Sequence, residues 1–289
     1  MQFALVNNKR TPPSPKLKGK CPVCGQDMIA KCGKYRRFHW AHESKENCDF
    51  WKEHETNWHI DWKNKFPTEW QEIIHTDPVS REKHIADVKT SYGMVLEFQH
   101  SHIDSKERES RENFYKKMIW IVDGTRLKTD KTRFEKALSK IQAFPQNKAL
   151  GTIKDYEKVF PKNWLDSQTF IFMDYGINNL LCIFPKKYEN QLVLAFIKKE
   201  KLVECSKQNS LIKILQSYFQ RLYPSPSPVP VLPSARPRNF CPPVDPQFLK
   251  LFSGSYAPRN NFRRTSKKSF RKTYKNSKIY KTGRNRPFF

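Results

Sequence analysis

The sequence predicts an α/β fold: a mixed sheet flanked by helices, with an N-terminal zinc-binding module before it and a basic tail after it. Three observations point there. Between residues 52 and 124 helical runs alternate with short strand-like runs. Four of the seven cysteines lie between Cys21 and Cys48, and all eight histidines lie between His39 and His102. From Tyr223 the chain turns proline-rich, and after Asp245 it carries no acidic residue. At 289 residues the chain can bury one sizeable core, or a core and a small satellite. The expected divisions are a zinc-binding module over 1–50, a catalytic-type core over 51–125, an α/β extension over 126–221, a proline-rich linker over 222–255 and a tail over 256–289.

The module comes first. CPVCG, 21–25, is a two-cysteine knuckle, and the order Cys21, Cys24, Cys32, His39, His42, Cys48 follows. Cys21, Cys24, His42 and Cys48 form a ligand set that tetrahedral zinc accepts. Gly25 permits the tight turn that points both sulfurs inward. Zinc would staple a segment too small to hold its own core. A redox pair explains neither His42 nor Cys48. His39 competes with His42 as the ligand, and otherwise fits a core, supporting or substrate-contacting role. Cys32 reads as a buried or surface thiol.

The next run, KEHETNWHIDWKNKF over 52–66, has helical spacing. Glu55, His59 and Lys63 repeat every four residues and share a face. Trp58, Trp62 and Phe66 form an adjacent apolar stripe. Taken alone, the polar face is equally a solvated one. Three strand-like pieces follow, EIIHT, HIADVKT and GMVLEFQHS, separated by DPVSR and SYG. Asp87 stands among apolar neighbours in the second piece. Glu97 and Gln99 are two apart in the third and so face one way, with Leu96 and Phe98 facing the other. A carboxylate on a buried strand is expensive unless it is paired or binds a cation. Two such acids on neighbouring strands repel, and a shared Mg2+ or Mn2+ would relieve the repulsion and activate water toward a phosphodiester. Acids on a partly exposed strand that simply face water are the plainer alternative. Gln99 stands where a lysine would orient that water. Its amide can orient water or phosphate but cannot act as a base, so positive charge would come from the metal or from elsewhere, such as His59 or Lys63. DSKERESRENFYKKM over 104–118 reads as a helix and IWIVDG over 119–124 as a strand. FEKALSKIQAF over 134–144 has helical spacing, and TFIFMDYG and LLCIFPKK read as strands joined by GINN.

Charge narrows the partners. The formal net charge is +26, which favours a polyanion over a neutral partner. No apolar run approaches the roughly 20 residues needed to span a bilayer, and the opening MQFALVNNKRT lacks the apolar core of a signal peptide. A cytoplasmic, reducing setting is therefore expected, where cysteines bind metal or lie buried.

CPVCG, FHWAH with Cys48, ETNWHIDWK, IADV, LEFQHSHI and IWIVDG, in that order, resemble the competence protein CoiA-like family, whose nuclease core is of the PD-(D/E)XK superfamily. The resemblance covers roughly residues 1–125 and fades toward 200. It implies a cysteine-rich, zinc-like module ahead of a restriction-endonuclease-like core. By position, Glu55 resembles the helix acid, Asp87 the metal-binding aspartate and Glu97 the second metal-binding acid. Gln99 takes the lysine position, and His59 and Lys63 match the polar helix face. Ala86 replaces the usual proline before Asp87, so the reading depends on Asp87 and Glu97 being neighbours in space. The implied activity is Mg2+-dependent hydrolysis of DNA, single- or double-stranded, leaving 5′ phosphates, in DNA processing for competence or in antiphage defence. RNA as substrate, a protein partner in such a complex, and a non-catalytic nucleic-acid-binding or recombination accessory role stay open beside it.

The tail interleaves Lys and Arg with Phe and Tyr in NFRRTSKKSFRKTYKNSKIYKTGRNRPFF. Such a segment neutralises phosphates and stacks on bases. Deleting residues 256–289 is therefore expected to weaken DNA binding and flatten its salt dependence in a titration. An unchanged salt slope would show that the tail does not touch DNA.

Overall fold

The computed structural model describes residues 1–35, 37–44, 51, 55–144 and 147–222. Cys48, the linker and the tail lie outside the described residues. The chain opens with five short strands, β1 (Ala4–Val6), β2 (Lys9–Thr11), β3 (Lys18–Lys20), β4 (Asp27–Lys31) and β5 (His39–His42), in one antiparallel sheet ordered β2-β1-β3-β4-β5. Its core is small: Met1, Ala4, Cys21, Met28 and Trp40, with Ile85 of the next sheet packed against it. Such a core stabilises little by itself, and this is the setting in which a metal staple contributes folding free energy.

Helix α1 spans Asn57–Lys63, shorter than the expected 52–66, of which 52–54 lie outside the described residues. Thr56 sets the start. Its hydroxyl accepts from the His59 backbone amide while the His59 ring accepts from the Thr56 amide, a reciprocal cap. Glu55 therefore precedes the helix rather than belonging to it. Pro67 stops any continuation past Phe66.

The main sheet follows. Strands β6 (Gln71–Thr76), β7 (Lys83–Lys89) and β8 (Val95–Gln99) run as an antiparallel meander. Helix α2 (Ser105–Tyr115), capped by the Asp104 carboxylate, leads into β9 (Met118–Asp123), parallel to β8. Helix α3 (Lys128–Ala137) precedes β10 (Gln142–Phe144) and β11 (Asn147–Ile153). The expected helix over 134–144 is thus corrected. After a 3-10 turn at Leu138–Lys140, residues 142–144 leave it to pair with β11 at the sheet edge. The expected hairpin appears as β12 (Ile171–Asp174) and β13 (Asn179–Ile183), followed by β14 (Leu192–Lys198), α4 (Lys199–Lys207) and α5 (Leu211–Leu222). One nine-stranded sheet, ordered β10-β11-β14-β13-β12-β9-β8-β7-β6, takes strands from both 71–123 and 142–198.

Two apolar layers cover this sheet. Val95, Trp120, Val122, Ile171 and Met173 pack with Tyr115 of α2 and Phe134 of α3. The alternate residues, Leu96, Phe98, Ile119, Ile121 and Phe172, pack with Trp62 of α1 and with Leu202, Leu211 and Leu215 of α4 and α5. Period-two alternation accounts for the split. Among the described residues no helix is long and apolar enough to cross a membrane.

One buried carboxylate fixes α1 on its face. Asp174 Oδ2 accepts from the indole nitrogens of Trp58 at 3.1 Å and Trp62 at 3.0 Å. Its Oδ1 accepts from Lys199 Nζ at 2.8 Å and the Gly176 amide at 2.9 Å. Asp174→Ala leaves two indole donors unmet and is expected to destabilise the fold by about 2–4 kcal/mol in urea denaturation. A change under about 0.5 kcal/mol would show that water replaces the clamp.

Candidate functional site

In the N-terminal sheet the knuckle forms as its sequence implies. The Gly25 amide donates to the Cys21 carbonyl at 2.9 Å, the Val23 amide approaches Cys21 Sγ at 3.4 Å, and Gly25 takes φ +75°. A residue with a side chain would be strained there. His42 on β5 brings its Nε2 to 3.4 Å from Cys24 Sγ. The ligand atoms of Cys21, Cys24 and His42 all lie within 4.8 Å of one another. The strand register explains the choice between histidines. Met28 pairs with His42 at the knuckle end, and Lys31 pairs with His39 at the other. His39 Nδ1 instead contacts the Arg37 carbonyl at 3.0 Å. Cys32 lies beyond β4, outside the cluster.

The acids gather in the main sheet. The β7–β8 ladder pairs Lys89 with Val95 and Val88 with Leu96, and the next step sets Asp87 level with Glu97. There side chains take over from the backbone ladder. The Asp87 amide donates to Glu97 Oε1 at 3.2 Å, and the Phe98 amide donates to Asp87 Oδ2 at 3.0 Å. On β6, between the pairs Gln71–Val88 and Ile73–Ala86, Glu72 falls level with Asp87. Three carboxylates thus cross three neighbouring strands in a row. Glu55, from the segment before α1, joins them, and all four line one cavity with His59, Trp51 and Arg111.

Two cations hold this charge. Lys63 is 1% exposed, and its ammonium contacts Glu55, Glu72 at 3.2 Å and Asp87 at 3.8 Å. Burial alone would push that ammonium down. The pull of Glu72, Glu55 and Asp87 outweighs burial and holds it above the ordinary lysine range. Lys63 therefore faces these acids as a charged ammonium. Arg111 of α2 pairs with Glu97 Oε2 at 3.3 Å and donates to the Trp51 carbonyl at 2.6 Å.

The sequence-level set is thus mostly brought together: Glu55, His59, Asp87 and Glu97 line the cavity, with Lys63 against three of its acids. Gln99 is buried, its amide donates to the Ser101 carbonyl at 3.3 Å, and it is not among the cavity residues. Sequence reasoning missed Glu72, Arg111 and Trp51. Glu72 carried a usable signal, an acid beside the apolar residues of a strand-like run, as Asp87 is. It also adopts φ +46°, a costly conformation for a residue with a side chain. Its Oε2 accepts from the Gln2 amide at 2.8 Å and the Phe3 amide at 3.3 Å, which ties the N-terminal sheet to the cavity.

Comparisons with known proteins follow the same division. No curated protein and no solved structure matches the chain. Residues 16–51 match the family model described as Competence protein CoiA, N-terminal domain, a span that holds Cys21, Cys24, His42 and Cys48. Residues 79–174 match the model described as Competence protein CoiA, nuclease-like domain, a span that holds Asp87, Glu97, Gln99, Arg111 and Asp174. The chain carries, in order, the N-terminal and the nuclease-like domains of the competence protein CoiA family.

Proposed function

We propose that the chain is a metal-dependent DNA nuclease with a structural zinc site. The observation that carries the reading is the row of Glu72, Asp87 and Glu97 across three strands, joined by Glu55 in one cavity. Among the described residues, Lys63 pairs with Glu55, Glu72 and Asp87, and Arg111 with Glu97, so four carboxylates meet two cations in these pairs. Like charges on neighbouring strands are destabilising, so the surplus negative charge fits a divalent cation. All the donors are oxygen atoms, which suits Mg2+ or Mn2+. Asp87 and Glu97 would hold the ion, with Glu55 completing the set. When bound, such an ion activates water and offsets the charge of a phosphodiester.

The remaining roles belong to the chain. The backbone amides of Asp87 and Phe98 fix one oxygen of each metal-binding acid, so the two carboxylates are oriented in advance. Lys63 supplies a positive charge behind Glu55, Glu72 and Asp87. His59 lines the cavity with its Nδ1 engaged by Thr56, and would offset negative charge there. Gln99, outside the cavity lining, would have to leave the Ser101 carbonyl to orient the nucleophile or a phosphate oxygen.

A second reading rests on Arg111. Its pairing with Glu97 supplies a cation where an ion is proposed, as a protein that only binds nucleic acid would tolerate. Cleavage separates the two. Wild type is expected to cut linear or circular DNA with Mg2+ or Mn2+, leaving 5′ phosphates. Asp87→Asn and Glu97→Gln are expected to abolish cutting while keeping most DNA affinity and stability. These isosteric changes preserve acceptors for the Phe98 and Asp87 amides. Wild-type rates in both variants would remove these residues from the mechanism. A wild type that binds DNA but never cuts it would leave the accessory role standing.

The zinc site has its own check. Cys21, Cys24 and His42, with Cys48 as the fourth ligand, are expected to hold one equivalent of zinc in protein purified under reducing conditions. Elemental analysis should show that equivalent lost in Cys24→Ser and His42→Ala and kept in His39→Ala. Zinc kept by His42→Ala and lost by His39→Ala would contradict the register argument.

A further inference from the structure

The turn between β4 and β5 carries a feature that neither the metal cluster nor the cavity uses. Tyr35 is 100% exposed and Phe38 is 50% exposed, in a fold whose other aromatic residues are mostly covered. Neither ring stacks on another aromatic ring among the described residues. Lys31, Lys34 and Arg37 flank them, all exposed, and the run KCGKYRRF over 31–38 contains no acid. Lys31 and Lys34 form no ion pair among the described residues. Arg37 reaches Asp61 on α1 at 3.3 Å. That helix also carries His59 and Lys63, so the turn is tied to an element that frames the cavity.

We propose that this turn is a stacking site for single-stranded DNA, with bases on Tyr35 and Phe38 and phosphates on Lys31, Lys34 and Arg37. The proposal deepens the nuclease reading and rests on its choice of nucleic acid as partner. Alternating aromatic and cationic side chains are the two parts such a site needs: π-faces for bases and charge for the backbone. Single strands are favoured because paired bases offer their faces only at duplex ends, whereas an unpaired strand offers one at every base. The strand register gives the turn a firm base. The Cys21–Cys24–His42 cluster lies at the Met28–His42 end of the β4–β5 pair, and the turn leaves from the Lys31–His39 end. Other occupants fit poorly. The chain's own tail has no acid after Asp245 and would repel the turn. A second copy would set one basic turn against another.

The test uses the full chain, loaded with zinc, and fluorescence anisotropy in Ca2+ in place of Mg2+. One labelled oligonucleotide is used as a single strand and as a blunt duplex. The double variant Tyr35→Ala/Phe38→Ala is expected to lose about ten-fold or more in single-strand affinity. Its duplex affinity and its salt slope should hold, because stacking releases no counterions. Tyr35→Trp/Phe38→Trp should restore binding, with tryptophan emission quenched by the single strand. Unchanged single-strand affinity in the alanine variant, or an equal loss on both substrates, would overturn the proposal and leave the nuclease reading untouched. A wild type that binds neither substrate would overturn both. A wild type that never cuts, while the alanine variant still loses the single strand selectively, would overturn the nuclease reading alone.

Discussion

The arrangement around the cavity depends on one buried ammonium. Lys63 sits almost wholly out of water at the end of a two-turn helix. A lone charge there would lose its proton or unfold the segment, because burial penalises the charged form heavily. It survives because Glu55, Glu72 and Asp87 converge on it from three separate stretches of chain. The requirement is mutual. Each of those acids gains a cationic partner in turn, so the start of α1, the start of β6 and the middle of β7 are held to one point. Glu72 extends the constraint, since its second oxygen takes the amides of Gln2 and Phe3.

Lys63 does not balance the charge it gathers. Glu97 stands level with Asp87 on the next strand and meets Arg111 from the far side. The acids are therefore held apart by a cation on each flank and splinted by backbone amides where the β7–β8 ladder ends. On the proposed reading, carboxylates fixed in this way would lower the reorganisation needed when a divalent cation arrives. The left-handed backbone at Glu72 belongs to the same economy, because strain of this kind persists only where surrounding contacts over-determine it.

Much of this was legible because apolar periodicity reports burial. The strands β6 to β9 and the hairpin β12–β13 followed from it, as did Asp87 and Glu97, which stood out as acids inside apolar runs. What escaped did so for more than one reason. The buried face of α2 is Arg108, Arg111, Glu112 and Tyr115, at helical spacing but mostly charged, so a search for apolar stripes passes over it. Arg108 and Glu112 pair at 2.7 Å, and Glu112 also accepts from the Trp120 indole and the Ser167 hydroxyl. A core satisfied by ion pairs looks like a solvated helix when read as sequence. The end of α3 failed for the opposite reason. Residues 142–144 have apolar members that suit a helix, and only pairing with the later strand β11 makes them a strand. The choice of His42 over His39 was made from the sequence and agrees with the cluster, and the register of β4 against β5 adds the physical reason.

The N-terminal module gains its meaning from where it attaches. Among the described residues, contacts that join it to the rest of the fold include the Gln2 and Phe3 amides on Glu72, Ile85 of β7 against its small core, and Arg37 on Asp61 of α1. Each lands on an element that frames the cavity. Arg10 adds another, donating to the Thr68 carbonyl at 2.8 Å and to the Gln71 carbonyl just ahead of Glu72. Its guanidinium stacks on Phe3 at 3.9 Å. Burial lowers the proton affinity of that guanidinium and the nearby Glu72 charge opposes the drop, so the charge is kept at the junction. A sheet with so small a core would shift readily on this surface if its own strands were loose. Two amides would then leave Glu72, and Lys63 would be left to hold that carboxylate without them. A metal held at Cys21, Cys24 and His42 would therefore act at a distance on the acid row, through the Gln2 and Phe3 amides on Glu72.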